Sequence, residues 1–210
     1  MTVRETFLQT ATSARALLGA PGVADRWHEP SALPELSVAG LAGHLVRAVV
    51  LVEQYLGSAA PPGARLITAD EYCGQLLQPD IHSAANSGVR QRGEAMAAAG
   101  RQSLIELLDG TIERLRARLS SEPENCTLEV IGQMPMLLDE YLRTRIVELV
   151  VHADDLAVSV GMETPARPPD ALTIAIDTLI GAARYRHGDL AVVRALARRE
   201  RDTIQALRVV

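Results

Sequence analysis

The chain contains no lysine, and its 21 basic residues are all arginines spread along the sequence. Because the net charge is −5 and no basic block stands out, the sequence argues against a nucleic-acid-binding surface. Aromatic residues are also scarce, at 3% against 48% hydrophobic residues in total. A core built mainly from Ala, Leu and Val favours closely packed helices, so we expect an all-α protein.

Cysteine and long apolar runs are scarce too. Cys73 and Cys126 are far apart and show no C-x-x-C spacing, which predicts neither a disulfide framework nor a cysteine-based zinc cluster. No stretch reaches the roughly 18 apolar residues that span a bilayer, and the N-terminus lacks the apolar segment of a signal peptide. We therefore expect a cytoplasmic protein with no membrane partner and no nucleic-acid partner.

Hydrophobic spacing predicts four substantial helices, over residues 2–18, 38–56, 85–119 and 137–160. Ser37 is a suitable N-cap for the second helix, which ends at Gly57. The long third helix contains Gly88 and Gly93, and either glycine is a candidate for a break. Four such helices joined by long links predict a four-helix bundle with at least one overhand connection.

Shorter elements are predicted between and after these helices. A short helix is expected at 70–77, and the segment around Leu128 and Val130 suits a strand or an irregular stretch. Prolines at 165, 168 and 169 mark a boundary, after which the pattern predicts two further helices and a final strand in "ALRVV". We therefore divide the chain into a bundle, residues 1–164, and a helical C-terminal extension, residues 165–210.

Two polar side chains stand out within the apolar run "RIVELVVHADDLA". Glu148 and His152 are four residues apart, so on a helix they differ by only about 40° around the axis and share one face. A third ligand for a metal ion would have to come from another helix, and His44, between apolar neighbours, is the best candidate. The same spacing also suits an ordinary hydrogen-bonded pair, and His44 also suits a core position. His28, His82 and His187 stand in polar segments and are expected to be exposed.

The segments "LSVAGLAGHLVRAVV" and "YLRTRIVELVVHADDLA" resemble the mycothiol-dependent maleylpyruvate isomerase family, part of the DinB/YfiT-like group of metal-binding bundles. The shared pattern is a histidine early in the second helix, followed about a hundred residues later by R-x-x-E-x-x-x-H-x-x-D-L. Here the second motif is filled by Arg145, Glu148, His152, Asp155 and Leu156. The resemblance implies an all-α, DinB/YfiT-like four-helix bundle with a short helical C-terminal extension.

The resemblance also implies a metal site formed by His44, Glu148 and His152, with an open coordination position. Zn²⁺ is the first expectation, and Ni²⁺, Mn²⁺ or Fe²⁺ suit the same ligands. In the family such a site binds and activates mycothiol, a low-molecular-weight thiol of actinobacteria. The implied function is a thiol-dependent S-transferase or isomerase-like enzyme, in which the metal activates mycothiol as cosubstrate for attack on a small electrophile.

Two further motif residues have candidate supporting roles. Arg145 could orient the Glu148 carboxylate or contact an acidic group of the thiol or substrate, although a structural ion pair is equally compatible with its position. Asp155 could accept a hydrogen bond from the His152 imidazole or bind structurally elsewhere. The founding isomerase carries an arginine in a second domain, whereas only 46 residues follow Thr164 here. General thiol transfer is therefore a better expectation than maleylpyruvate isomerisation.

Two other functions fit the same residues. A noncatalytic metal-binding or ligand-sensing bundle would hold a metal without turnover, and a metal-dependent hydrolase would turn over without any thiol. The discriminating property is whether a thiol reaches an open position on the metal. The apolar stretch "DALTIAIDTLIGAA" suits packing on the bundle or on a second subunit, so a homodimer is also an expectation.

Overall fold

A computed structural model describes residues 1–76, 82–197 and 207 of the chain. Within these residues the protein consists of nine α-helices and one small antiparallel hairpin, which confirms the all-α prediction. The helices are α1 (Val3–Leu18), α2 (Pro21–Asp25), α3 (Val38–Tyr55), α4 (Ala69–Leu76), α5 (Ala84–Ala97), α6 (Arg101–Ser121), α7 (Leu138–Ser159), α8 (Pro169–His187) and α9 (Asp189–Ala197).

Helices α1, α6, α3 and α7 form the predicted four-helix bundle, each packing against the next around the ring. Their apolar residues recur every three or four positions and meet in the centre, where Phe7, Leu45, Leu115 and Leu142 are at most 1% exposed. Ser37 caps α3 as predicted, because its hydroxyl accepts a hydrogen bond from the Gly40 amide at 2.9 Å. This arrangement makes α3 and α7 direct neighbours.

The single long third helix predicted from the sequence is wrong. The chain divides into α5 and α6, and the break lies at Gly100, whose φ of +91° is readily adopted by glycine alone. Gly88 and Gly93 both lie inside α5. Gly93 is instead used for packing, since a Cβ atom at Gly43 of α3 would lie 2.1 Å from the Gly93 carbonyl oxygen. The backbones of α5 and α3 therefore lie in direct contact where the two helices pack.

The connections confirm most of the shorter predictions. The expected helix at 70–77 is α4, although Leu77 lies outside the described residues. The expected strand is one half of a hairpin, in which β1 (Thr127–Val130) pairs antiparallel with β2 (Met134–Leu137). Helix α2 was not predicted; it is only one turn long and begins at Pro21, a residue well suited to a first helical turn.

After the proline boundary, α8 packs against α4 and α7, and α9 packs against α8. These are the two predicted C-terminal helices. The predicted final strand at 206–210 lies outside the described residues, apart from Leu207. The division of the chain at Thr164 stays a prediction. Among the helices that the structure describes, none combines the length and hydrophobicity needed to cross a lipid bilayer.

Candidate metal centre

Helices α3 and α7 bring His44, Glu148 and His152 together. One oxygen of Glu148, Oε2, lies 3.0 Å from Nε2 of His44 and 3.2 Å from Nε2 of His152. The two imidazole rings meet edge to face, with centroids 4.6 Å apart. One ligand atom from each residue lies within 4.8 Å of the other two. The three side chains therefore form a cluster that could hold a metal ion.

The cluster lies at the edge of the bundle core and is reachable from solvent. The side chains of His44, Glu148 and His152 are 17%, 19% and 21% exposed, respectively, whereas the flanking residues Leu45 and Leu149 are buried. The polar atoms are thus held against an apolar wall on one side. Their partial exposure leaves the other side of the cluster in contact with solvent.

The donor set fits a zinc-type ion. Two imidazole nitrogens and a carboxylate oxygen are common ligands of catalytic zinc sites, which keep a further position open. Two ligand atoms about 2.0 Å from a tetrahedral ion are roughly 3.3 Å apart, close to the separations of 3.0 and 3.2 Å measured from the Glu148 oxygen. The chemistry of the three side chains and these two separations therefore suit such an ion.

The two histidine rings are held by different means. His152 Nδ1 lies 3.0 Å from Oδ2 of Asp155, three residues further along α7, which directs the opposite ring nitrogen towards Glu148. This is the contact expected for Asp155 as a supporting residue. His44 Nδ1 is buried and has no hydrogen-bond partner among the described residues. Its ring is therefore positioned by the Nε2 contact with Glu148 and by packing, with Gly93 of α5 lying beside its Cβ atom.

Arg145 is buried directly behind Glu148. Its terminal nitrogen lies 3.9 Å from Oε1 of Glu148, which is too long for a hydrogen bond, so the guanidinium acts on the carboxylate through its charge. The guanidinium also lies 4.8 Å from the ring centre of Tyr141, and its Nε donates to the Thr144 hydroxyl at 3.0 Å. This geometry is compatible with Arg145 orienting the Glu148 carboxylate and with a structural ion pair. Contact between Arg145 and an acidic group of the thiol or substrate stays a prediction.

Tyr72 and Tyr141 both contact the Arg145 guanidinium. Neither residue was predicted from the sequence. Tyr72 of α4 lies with its hydroxyl 3.4 Å from a guanidinium nitrogen of Arg145. Tyr141 precedes Arg145 by one helical turn, so the spacing of four could have identified it as a neighbour. No local pattern marks Tyr72, because it comes from a distant part of the chain.

The ionisation of the cluster follows from burial and mutual hydrogen bonding. Burial opposes ionisation of Glu148, but hydrogen bonds with His152 and His44, together with the charge of Arg145, hold its pKa well below the usual value. Burial also opposes a charge on His152, yet its contacts with Asp155 and Glu148 raise its pKa to about 9. For His44 burial dominates and the pKa is lowered. The carboxylate is therefore anionic at neutral pH, as a metal ligand must be.

The other candidate residues lie away from this cluster. His28, His82 and His187 are exposed, as predicted, and His82 lies 3.4 Å from Glu35. Both cysteines are free thiols. Burial raises the pKa of Cys73 to about 12, which keeps it protonated and therefore unreactive at neutral pH.

Comparison with known protein families agrees with this geometry. The sequence profile of the mycothiol maleylpyruvate isomerase N-terminal domain matches residues 7–157, well over half of the chain. The chain belongs to this family. The matched region begins in α1 and ends in α7, so it includes His44, Glu148 and His152. No curated protein and no solved structure matches the chain. Membership in the mycothiol maleylpyruvate isomerase N-terminal domain family confirms the resemblance noted in the sequence.

Proposed function

We propose that this protein is a metal-dependent S-transferase that joins a low-molecular-weight thiol, mycothiol in the first instance, to a small electrophile. The observation that carries the proposal is the convergence of donor atoms from His44, Glu148 and His152 at a partly exposed point. We propose Zn²⁺ as the resident ion, with Ni²⁺, Mn²⁺ and Fe²⁺ as the other metals that suit these ligands. The family match supports mycothiol as the thiol.

A bound divalent cation would supply positive charge. That charge favours the thiolate form of a thiol, whose free pKa is about 8.5. Glu148 offsets one unit of that charge and the two imidazoles offset none, so the site retains a positive charge that suits a thiolate. Asp155 accepts the N–H of His152 and keeps Nε2 directed at the site. Arg145 stabilises the ionised form of Glu148 from behind.

The reaction that follows is nucleophilic transfer. The thiolate sulfur forms a bond to an electrophilic carbon, and the electron pair displaced from that carbon departs with a leaving group or moves to a neighbouring atom that takes up a proton. An isomerase-like variant would release the thiol again after rearrangement.

The first test of this proposal is the metal content of protein purified without an affinity tag. We expect about one equivalent of metal in the wild type by elemental mass spectrometry, and loss of that metal in His44→Ala and His152→Ala. His28→Ala is the matched control, since His28 is exposed and should not affect metal content. A wild-type protein that stays metal-free after incubation with Zn²⁺ and Ni²⁺ would refute the site.

The second test separates the alternatives. We expect consumption of mycothiol in the presence of a small electrophile, loss of this activity on chelation, and recovery when metal is restored. Turnover of an ester or amide without any thiol would favour the hydrolase instead. Metal binding without turnover of any electrophile would favour a noncatalytic metal-binding or ligand-sensing bundle.

A further inference from the structure

An arginine without a partner lies next to the candidate metal centre. Among the described arginines that are at least partly buried, only Arg47 has neither a hydrogen bond nor an ion pair. The other arginines of this group have polar partners. For example, Arg4 forms an ion pair with Asp139 at 2.8 Å, and Arg167 donates a hydrogen bond to the Val150 carbonyl at 2.7 Å. Arg47 therefore has unused hydrogen-bonding capacity in a partly desolvated position.

Arg47 shares the open side of α3 with His44. Between Val38 and Val52 of this helix, every residue is buried except His44, Arg47 and Val50. These three residues follow one another at intervals of three, so they form one strip along the helix surface. Residues three apart on a helix have Cβ atoms about 5–6 Å apart. A small molecule that reaches His44 is therefore also within reach of the Arg47 guanidinium.

Among the described residues, no carboxylate forms an ion pair with Arg47. Burial is the largest influence on its pKa and lowers it; Arg92 and Arg145 act in the same direction, whereas Tyr55 and Tyr141 act the other way. The carboxylate of Glu148, in the same cluster as His44, already contacts His44 and His152. A partly buried cation with cationic neighbours is stabilised when an anion binds beside it. Arg47 thus points to a negatively charged ligand.

We propose that Arg47 recognises an anionic oxygen group, a carboxylate in the first instance, on the small electrophile that reacts at this site. The inference rests on the proposed function and adds the substrate class. The planar guanidinium can hold both oxygens of a carboxylate, while the electrophilic carbon of the same molecule faces the thiol near His44. The protein then prefers organic acids over neutral electrophiles of the same shape.

The first experiment measures binding without turnover. Propionate and propionamide have nearly the same shape and differ in charge, and saturation-transfer NMR detects weak binding of either one. We expect wild-type protein to bind propionate more tightly, Arg47→Gln to weaken propionate binding about tenfold, and Arg47→Lys to recover part of the loss. Propionamide binding should not change. Measurement both before and after chelation distinguishes binding at Arg47 from binding at the metal.

Arg116→Gln is the matched control. Arg116 is an exposed arginine of α6 that also lacks a hydrogen bond or ion pair within the described part of the chain. Its substitution removes the same charge from the protein as Arg47→Gln does. If both variants weaken propionate binding equally, the effect comes from net charge and the inference is overturned. Unchanged propionate binding in Arg47→Gln overturns it directly.

The second experiment uses iodoacetate and iodoacetamide as acceptors for mycothiol. In both reactions the thiolate sulfur forms a bond to the methylene carbon, and iodide leaves with the electron pair of the carbon–iodine bond. We expect Arg47→Gln to raise KM for iodoacetate about tenfold and to leave KM for iodoacetamide unchanged. Equal effects on both acceptors would place the recognised group on the thiol and overturn the inference. Because propionate binding needs neither metal nor turnover, failure of the proposed function would leave the first experiment interpretable.

Discussion

Substitution of Gly43 by alanine should destabilise the protein, although alanine is the better helix former. A Cβ atom at Gly43 would lie 2.1 Å from the Gly93 carbonyl oxygen, 3.0 Å from its carbonyl carbon and 3.2 Å from the Ala97 amide nitrogen. All three atoms belong to the backbone of α5, so no side-chain rotation relieves the overlap. The whole of α5 must move away from α3 by roughly 1 Å before ordinary contact distances return.

The expected magnitude is the difference between two effects. Overpacking against a rigid element destabilises the folded protein by up to about 3 kcal/mol. Replacement of glycine by alanine inside a helix stabilises it by about 1 kcal/mol. The free energy of unfolding should therefore fall by about 2 kcal/mol, which corresponds to a decrease in Tm of roughly 4–8 °C for a chain of this size. Urea titration followed by circular dichroism at 222 nm measures the change.

Gly110→Ala is the matched control, because Gly110 lies inside α6 where an added Cβ would meet only the end of the Arg114 side chain, at 3.1 Å. That side chain can move, so the control should gain about 0.5–1 kcal/mol from reduced backbone freedom in the unfolded chain. If Gly43→Ala proves as stable as Gly110→Ala, the backbone contact between α3 and α5 is not as close as the structure has it, and the reasoning fails.

Two further predictions concern buried polar groups. The Tyr141 hydroxyl is buried and lacks a hydrogen-bond partner among the described residues, so Tyr141→Phe should raise the free energy of unfolding by about 1 kcal/mol; a loss of stability in urea titration would reveal a partner. Burial and the nearby Glu140 raise the pKa of Asp70 in the folded protein. The folded state therefore holds the Asp70 proton more tightly than the unfolded state does, and the free energy of unfolding falls as pH rises through the folded-state pKa. Asp70→Asn should therefore be more stable than wild type at pH 7, by less than about 1 kcal/mol because the site is partly exposed, and the difference should narrow as pH is lowered towards 4.

The cluster of His44, Glu148 and His152 could be predicted because these residues lie in strongly patterned helices. Glu148 and His152 share one helix at a spacing that fixes their relative direction, and His44 occurs in an apolar helix where an imidazole is conspicuous. Bundle geometry made His44 the best candidate for a third residue, and the resemblance to a known family then strengthened the pairing of α3 with α7. The structure brings the three residues together, whereas their function as metal ligands stays a proposal.

The break in the predicted third helix could not be located because glycines serve two purposes that look alike in sequence. Gly93 allows close approach of two backbones, while Gly100 adopts a positive φ that ends one segment and begins the next. Which purpose applies depends on whether another helix crosses at that point. Tertiary packing determines this, and Tyr72 escaped prediction for the same reason, since it reaches Arg145 from a distant helix.

The ring positions of His44 and His152 depend on different parts of the fold. His152 is oriented within its own helix by Asp155, so its ring direction survives changes elsewhere as long as α7 is intact. His44 has no partner of this kind on Nδ1 within the described chain, and the backbone of α5 at Gly93 lies against it. The contact between α3 and α5 thus bears on the position of His44 and not on that of His152. Because the proposed metal binding requires ligands at fixed distances, we expect this contact to support the candidate site as well as the stability of the bundle.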